Sequence, residues 1–254
     1  MPKRTEGWGT PLFPREGTRA PVIEIRSLTK RFGDVVAVDD LTFSLGTSTV
    51  TGFLGPNGAG KTTTLRLLLG LAEPDMGEAL IFGHRYRELD EPPRRVGAVL
   101  ESSDLHPGRS GRDHLRVQTL AGKIPPSRVE EVLALVELEA VADRRVKTYS
   151  LGMRQRLALA GALLGGPEVL VLDEPANALD PAGVRWLRQF LRRFAEQGGT
   201  VLVSSHMLAE AGQTVDQVVI IDRGRLLTAG TLAELTERGR TLEDVFLHLT
   251  GAEA

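Results

Sequence analysis

The chain has 254 residues, a formal net charge of -2 and no cysteine. That length supports one sizeable core with a lobe, or two small domains. Near-neutral charge argues against broad nucleic-acid binding, and the lack of cysteine excludes disulfides, thiolate metal sites and thiol catalysis. Lys3 and Arg4 precede no apolar segment, so the start does not read as a secretory signal. The longest nearly unbroken apolar stretch, at 157–164, falls far short of the roughly 20 residues that span a bilayer. The expectation is a chain soluble by itself, with any membrane role supplied by a partner.

Residues 1–21 carry Pro2, Pro11, Pro14 and Pro21 among mixed charges and read as a flexible arm. Alternation at Val22, Ile23 and Ile25, and again at Leu41, Phe43 and Leu45, predicts half-buried strands. Residues 50–54 then run into a glycine-rich loop, and a helix is expected from Lys61 to about Leu71. Val129, Val132, Leu133, Leu135 and Val136 predict an amphipathic helix over 128–141. A further helix is expected over 151–164. Together these suggest a helical lobe inserted at about 100–165.

Residues 169–172 are wholly apolar, as in a strand covered on both faces. Trp186, Leu187, Phe190, Leu191 and Phe194 form a helical stripe, residues 201–203 another buried strand, and Leu242, Val245, Phe246 and Leu249 a last helical face.

Residues 55–62 read Gly-Pro-Asn-Gly-Ala-Gly-Lys-Thr. A loop between strand and helix wraps phosphates only if its amides point inward, and Gly55, Gly58 and Gly60 permit that geometry. The helix that follows contributes its positive dipole end. Lys61 is expected to reach the β- and γ-phosphates and Thr62 to ligate Mg2+. The loop by itself is shared by GTPases, kinases and ATPases, although the guanine-reading Asn-Lys-x-Asp string is absent.

Asp173 follows the apolar strand and so falls at its carboxyl edge, where ligands bind in open α/β sheets. A carboxylate there suits magnesium, held through water. Glu174 points differently and suits polarising a water for attack on the γ-phosphate. His206 ends the next apolar strand and is expected to align with Asp173.

Ser150 precedes a helix as a candidate N-cap, and Gly152 permits close approach of backbone to a ligand. This second anion-binding helix start makes sense if it serves a nucleotide held by another molecule.

In their order these segments resemble the ATP-binding-cassette (ABC) ATPases, over about residues 22–250. The resemblance matches Gly55, Pro56, Asn57, Gly58, Ala59, Gly60, Lys61, Thr62 and Thr63 to the Walker A loop, and 149–153 to the signature. It matches 169–173 to Walker B, Glu174 to the catalytic acid, Ala178-Leu179-Asp180 to the D-loop, and His206 to the switch histidine. Phe32 matches the aromatic residue that stacks on adenine. The implied fold is an α/β P-loop NTPase: a RecA-like mixed-sheet core, an antiparallel β subdomain and an inserted helical subdomain.

The same resemblance implies a homodimer, or a heterodimer with a second cassette, sandwiching two ATP, with Ser150, Gly152 and Asp180 at the interface. It also implies a separate integral-membrane permease under the helical lobe and a cytoplasmic, peripheral location on the inner membrane face. No nucleic-acid partner is expected, although the family also holds regulators of ribosomes or DNA. The 150–156 string and Leu242–Phe246 resemble exporters of the bacitracin, lantibiotic and daunorubicin type.

Two departures stand out. Leu151 and Met153 replace a glycine and a glutamine of the usual signature. Glu101 falls where most relatives carry glutamine. Glutamate offers magnesium a charged oxygen and no amide donor, and it repels the γ-phosphate. Glu101 is therefore expected to couple magnesium occupancy to lobe movement. Glu101→Gln should change the magnesium dependence of ATP hydrolysis; superimposable magnesium titrations of variant and parent would refute that coupling.

Overall fold

The computed structural model describes residues 21–100, 105–177, 179–206 and 212–250. Residues 1–20, Glu101 and Ala178 lie outside them. Two sheets are present. One is antiparallel and three-stranded, built from β1 (Ile23–Phe32), β2 (Val35–Leu45) and β4 (Met76–Ile81) in the order β2-β1-β4. The other contains β3 (Val50–Leu54), β5 (Val96–Val99), β6 (Val169–Leu172), β7 (Thr200–Ser205), β8 (Gln217–Asp222) and β9 (Arg225–Thr231). Its order is β5-β6-β7-β3-β8-β9, parallel except for β9.

The eight α-helices of the described residues are α1 (Lys61–Leu68), α2 (Pro92–Arg95), α3 (Gly111–Gly122), α4 (Arg128–Leu135), α5 (Leu151–Leu163), α6 (Pro181–Glu196), α7 (Leu232–Leu235) and α8 (Leu242–Thr250).

Every residue of β3 and β6 is buried, which is why β6 reads as an unbroken apolar run. Alternate side chains enter two cores. Phe53 joins the core under the antiparallel sheet and α1, with its ring 5.6 Å from that of Phe43. Val50 and Leu54 join the core beneath the helical lobe and α6.

The hairpin strands are longer than the alternation predicts. β1 and β2 stay paired up to Phe32 and Val35 through three register shifts, which cross the polar stretch that breaks the pattern. α4 is shorter than expected. It stops at Leu135 because Glu137 turns into the left-handed region (φ 59°), after which Leu138 is buried from a new direction. α1 likewise ends at Leu68, before Gly70 (φ 66°).

In the lobe, Leu115, Val132, Leu133 and Leu157 pack together, and Tyr149 is buried with its hydroxyl donating to Val141 O at 2.9 Å. α5 approaches β5 closely. A Cβ on Gly97 would lie 2.2 Å from Ala162 O and 2.9 Å from Leu170 Cδ2. Gly97→Ala must therefore push helix and strand apart. It should cost about 2 kcal/mol, lowering the melting temperature by roughly 4–8 °C in a thermal denaturation scan.

Candidate nucleotide-hydrolysis site

The parallel sheet brings three strand ends together. Leu172 of β6 pairs with Val203 of β7, and Leu54 of β3 pairs with Ser205. The residues that follow or end these strands are therefore neighbours, although those of β3 lie over a hundred positions from the other two.

β3 feeds the loop from Gly55 to Gly60. Ala59 N donates to Pro56 O at 3.1 Å, and Gly224 N, in the turn after β8, donates to Ala59 O at 2.9 Å. Gly60 sits at φ 102° with room for no side chain, since a Cβ would meet Ala37 O at 2.3 Å. Gly58, at φ 82°, has open space around it and is needed for conformation alone. Asn57 and Gly58 form the exposed crest, between half-buried Pro56 and buried Ala59. Thr62 and Thr63, in the first turn of α1, are half-buried.

Lys61 is only 6% exposed. Its Nζ donates to Gly55 O at 2.7 Å and to Pro56 O at 3.3 Å, and lies 3.5 Å from Glu174 Oε1. The ammonium is satisfied by the loop's own carbonyls.

Asp173 is 2% exposed. An isolated buried carboxylate would be costly, and here both oxygens accept hydrogen bonds. Thr62 Oγ1 donates to Oδ2 at 2.7 Å and Ser204 Oγ donates to Oδ1 at 2.5 Å. The Asp173 amide donates to Val99 O at 2.8 Å, tying the end of β6 to β5.

Glu174 takes a left-handed backbone conformation (φ 49°), which swings its side chain away from that of Asp173. Its amide donates to Ser204 Oγ at 2.9 Å, and its Oε2 lies 2.9 Å from His206 Nδ1. Glu174 is thus held between an ammonium and an imidazole. Ser204 serves both acids, donating to one and accepting from the amide of the other. Sequence reasoning assigned it no role. The available signal was a hydroxyl at the end of an otherwise apolar strand, just before His206.

The donor set fits a hard divalent cation. Thr62 Oγ1 and Asp173 Oδ2 are adjacent oxygens, and the nearby ammonium contacts Glu174 rather than Asp173. Among the described residues no group of three or more His, Asp or Glu side chains is arranged to hold a metal. Most ligands would therefore have to come from phosphate and water.

The remaining expected residues lie elsewhere. Phe32 is 55% exposed at the tip of the β1–β2 hairpin, with Lys30 Nζ 5.5 Å from its ring centre. Ser150 caps α5, its Oγ accepting from Met153 N at 3.2 Å. That bond uses the oxygen and leaves the hydroxyl proton to donate. Gly152 is half-buried in the first turn of α5. Asp180 is exposed and caps α6, accepting from Gly183 N at 2.7 Å. Glu101 lies outside the described residues.

Comparison with known proteins shows the family. The family model described as ABC transporter matches residues 38–177. The chain belongs to the ABC transporter family and is one of its ATP-binding, ATPase subunits. The bacitracin transport ATP-binding protein BcrA of Bacillus licheniformis is 40% identical over 86% of this chain and 72% of its own. An uncharacterised ABC transporter ATP-binding protein of Bacillus subtilis, YhcH, is 43% identical over 81% of this chain and 68% of its own. The Nod factor export ATP-binding protein I of Burkholderia orbicola is 38% identical over 85% and 72%.

A solved ATP-binding subunit of an ABC transporter superposes with a TM-score of 0.82 at 28% identity, covering 90% of this chain and 99% of that one. A dimeric cassette in a post-hydrolysis state with ADP and Pi shares the fold, with a TM-score of 0.74 at 24% identity over 83% and 98%.

Ser204→Ala would leave the Glu174 amide without an acceptor and remove one donor from a buried carboxylate. It should cost about 2–3 kcal/mol in urea denaturation and slow steady-state ATP hydrolysis about tenfold.

Proposed function

We propose that this chain powers an exporter of a drug, peptide antibiotic or lipid-like compound, as a peripheral ATPase on the cytoplasmic face of a separate permease. The family supports the transporter role, and relatives named for bacitracin transport and Nod factor export support the direction. No helix among the described residues is long and apolar enough to cross a membrane.

The observation that carries the catalytic reading is Glu174 held between Lys61 and His206 beside a buried Asp173. ATP phosphates would replace the Gly55 and Pro56 carbonyls as partners of Lys61, and the loop amides would add donors around them. Thr62 and Asp173 would hold magnesium with phosphate and water oxygens, and the ion would neutralise phosphate charge. Glu174, released from Lys61, would accept a hydrogen bond from the attacking water and orient it toward the γ-phosphorus. His206 would keep Glu174 in place and donate to the γ-phosphate. The water oxygen bonds to phosphorus as the bond to the β–γ bridging oxygen breaks, and its proton passes by way of Glu174 to the released phosphate, giving ADP and phosphate. Phe32 would stack on adenine.

Ser150, Gly152 and Asp180 are exposed or half-buried and lie apart from this cluster. Ser150 keeps a free hydroxyl proton, which suits it to donate to the γ-phosphate held by a second copy. Two copies would so enclose two ATP, and hydrolysis would let them part.

A cleft of about 580 Å³ lies between the sheet and the helical lobe, walled by Tyr86, Leu100, Leu105, His114, Gln118 and Ile124 among others. It suits a permease segment, whose docking would register movement of the lobe against the core.

Glu174→Gln keeps the size but removes the charge and one acceptor oxygen, and with them the base. It should lower hydrolysis by about 10²–10⁴-fold and accumulate an ATP-bound dimer. Gel filtration of the variant with MgATP checks this; elution as monomer alone would count against the two-ATP sandwich.

A further inference from the structure

Arg156 of α5 and Trp186 of α6 join two helices. The Arg156 guanidinium carbon lies 4.2 Å from the centre of the Trp186 ring. The same guanidinium donates to Val136 O at 3.2 Å and to Glu137 Oε2 at 2.8 Å. It is thereby fixed by the turn after α4, by α5 and by α6, with 19% of its side chain exposed. Trp186 in turn stacks on Phe190, with ring centres 5.7 Å apart. Below this contact, Gln155, Leu159, Pro175 and Leu179 line a small gap shared with Trp186, so the seam reaches the residues beside Glu174 and Asp180.

The positions of the pair matter. Arg156 lies six residues beyond the cap Ser150, and Trp186 six residues beyond the cap Asp180. Each is about 9 Å behind its helix start at 1.5 Å per residue. The contact therefore sits at equal depth behind the two segments that a second copy would have to meet together.

We propose that Arg156 and Trp186 are positioning residues: their cation–π contact sets the spacing between Ser150–Gly152 and Leu179–Asp180 within one subunit, so that a second subunit's nucleotide site engages both at once. This rests on the two-ATP sandwich described above. Beyond each other, the pair's hydrogen bonds and ring stacking are with Val136, Glu137 and Phe190, away from the glycine loop, and its loss should leave ATP binding by the single subunit unchanged.

The test uses the full chain carrying Glu174→Gln, with dimerisation in MgATP read by sedimentation, monomer affinity by a fluorescent ATP analogue and folding by thermal scans. Adding Trp186→Leu, which removes the ring face, should weaken dimerisation about tenfold with monomer affinity unchanged. Trp186→Phe, which keeps a ring, should hold dimerisation within about twofold of the parent. Arg156→Lys keeps the charge for Glu137 but loses the planar stack, and should weaken dimerisation as Trp186→Leu does. It decides the matter if Trp186→Leu does not fold. Dimerisation at the parent level in both weakened variants, with only the melting temperature lowered, would overturn the proposal. So would equal loss in Trp186→Phe. A parent that stays monomeric in MgATP would instead overturn the sandwich reading itself, and this inference with it.

Discussion

The site depends on one buried charge. Asp173 lies inside the molecule at the end of a fully buried strand, where a carboxylate without partners would be strongly destabilising. Thr62 and Ser204 each donate to one of its oxygens, so α1, β6 and β7 are locked together through a single side chain. That lock also sets the backbone of the next residue. Ser204 accepts from the amide of Glu174 and holds it in a left-handed conformation, which for a residue with a side chain costs roughly 1–2 kcal/mol. The two neighbouring acids consequently face different partners, one turned to Thr62 and the other to Lys61 and His206.

Sheet order is what makes this convergence possible. With β6, β7 and β3 adjacent and parallel, their carboxyl ends form one edge. Loops leaving that edge bring Lys61, Glu174 and His206 within hydrogen-bonding or ion-pair distance, and set Asp173 against Thr62 and Ser204. The Lys61 ammonium, occupied by the carbonyls of its own loop, neutralises part of the charge of Glu174 while leaving Asp173 to the hydroxyls. Charge in the cluster is thus divided between the Lys61–Glu174 ion pair and the carboxylate of Asp173 held by two hydroxyls.

The helical lobe is organised on a different principle. Its core is apolar, with the Tyr149 hydroxyl turned back onto Val141 O, and Ser150 leaves that core directly into an exposed helix start. Polar clamps at its margin, such as Arg156 against Trp186 and Glu137, tie the lobe to α6 instead of to the nucleotide loop.

Local chemistry made much of this legible in the sequence. The glycine spacing around Lys61, the unbroken apolar run of β6 and the stripe of α6 each dictate a strand, turn or helix without reference to the rest of the chain. The elements that differed from their patterns did so for reasons that periodicity does not carry. α4 stops where Glu137 turns left-handed, and the β1–β2 hairpin runs on through register shifts because its backbone pairing does not need apolar alternation.

Ser204, Arg156 and Trp186 were invisible as partners for a related reason. A buried hydroxyl acquires its role only when two acids 30 positions away arrive beside it, and a guanidinium only when a ring on another helix does. By itself, the sequence determined which loop would cradle phosphate and which strand would end in acids, because those depend on neighbours in the chain. Only the tertiary structure decided which side chains hold those acids apart, because that depends on which strands lie side by side.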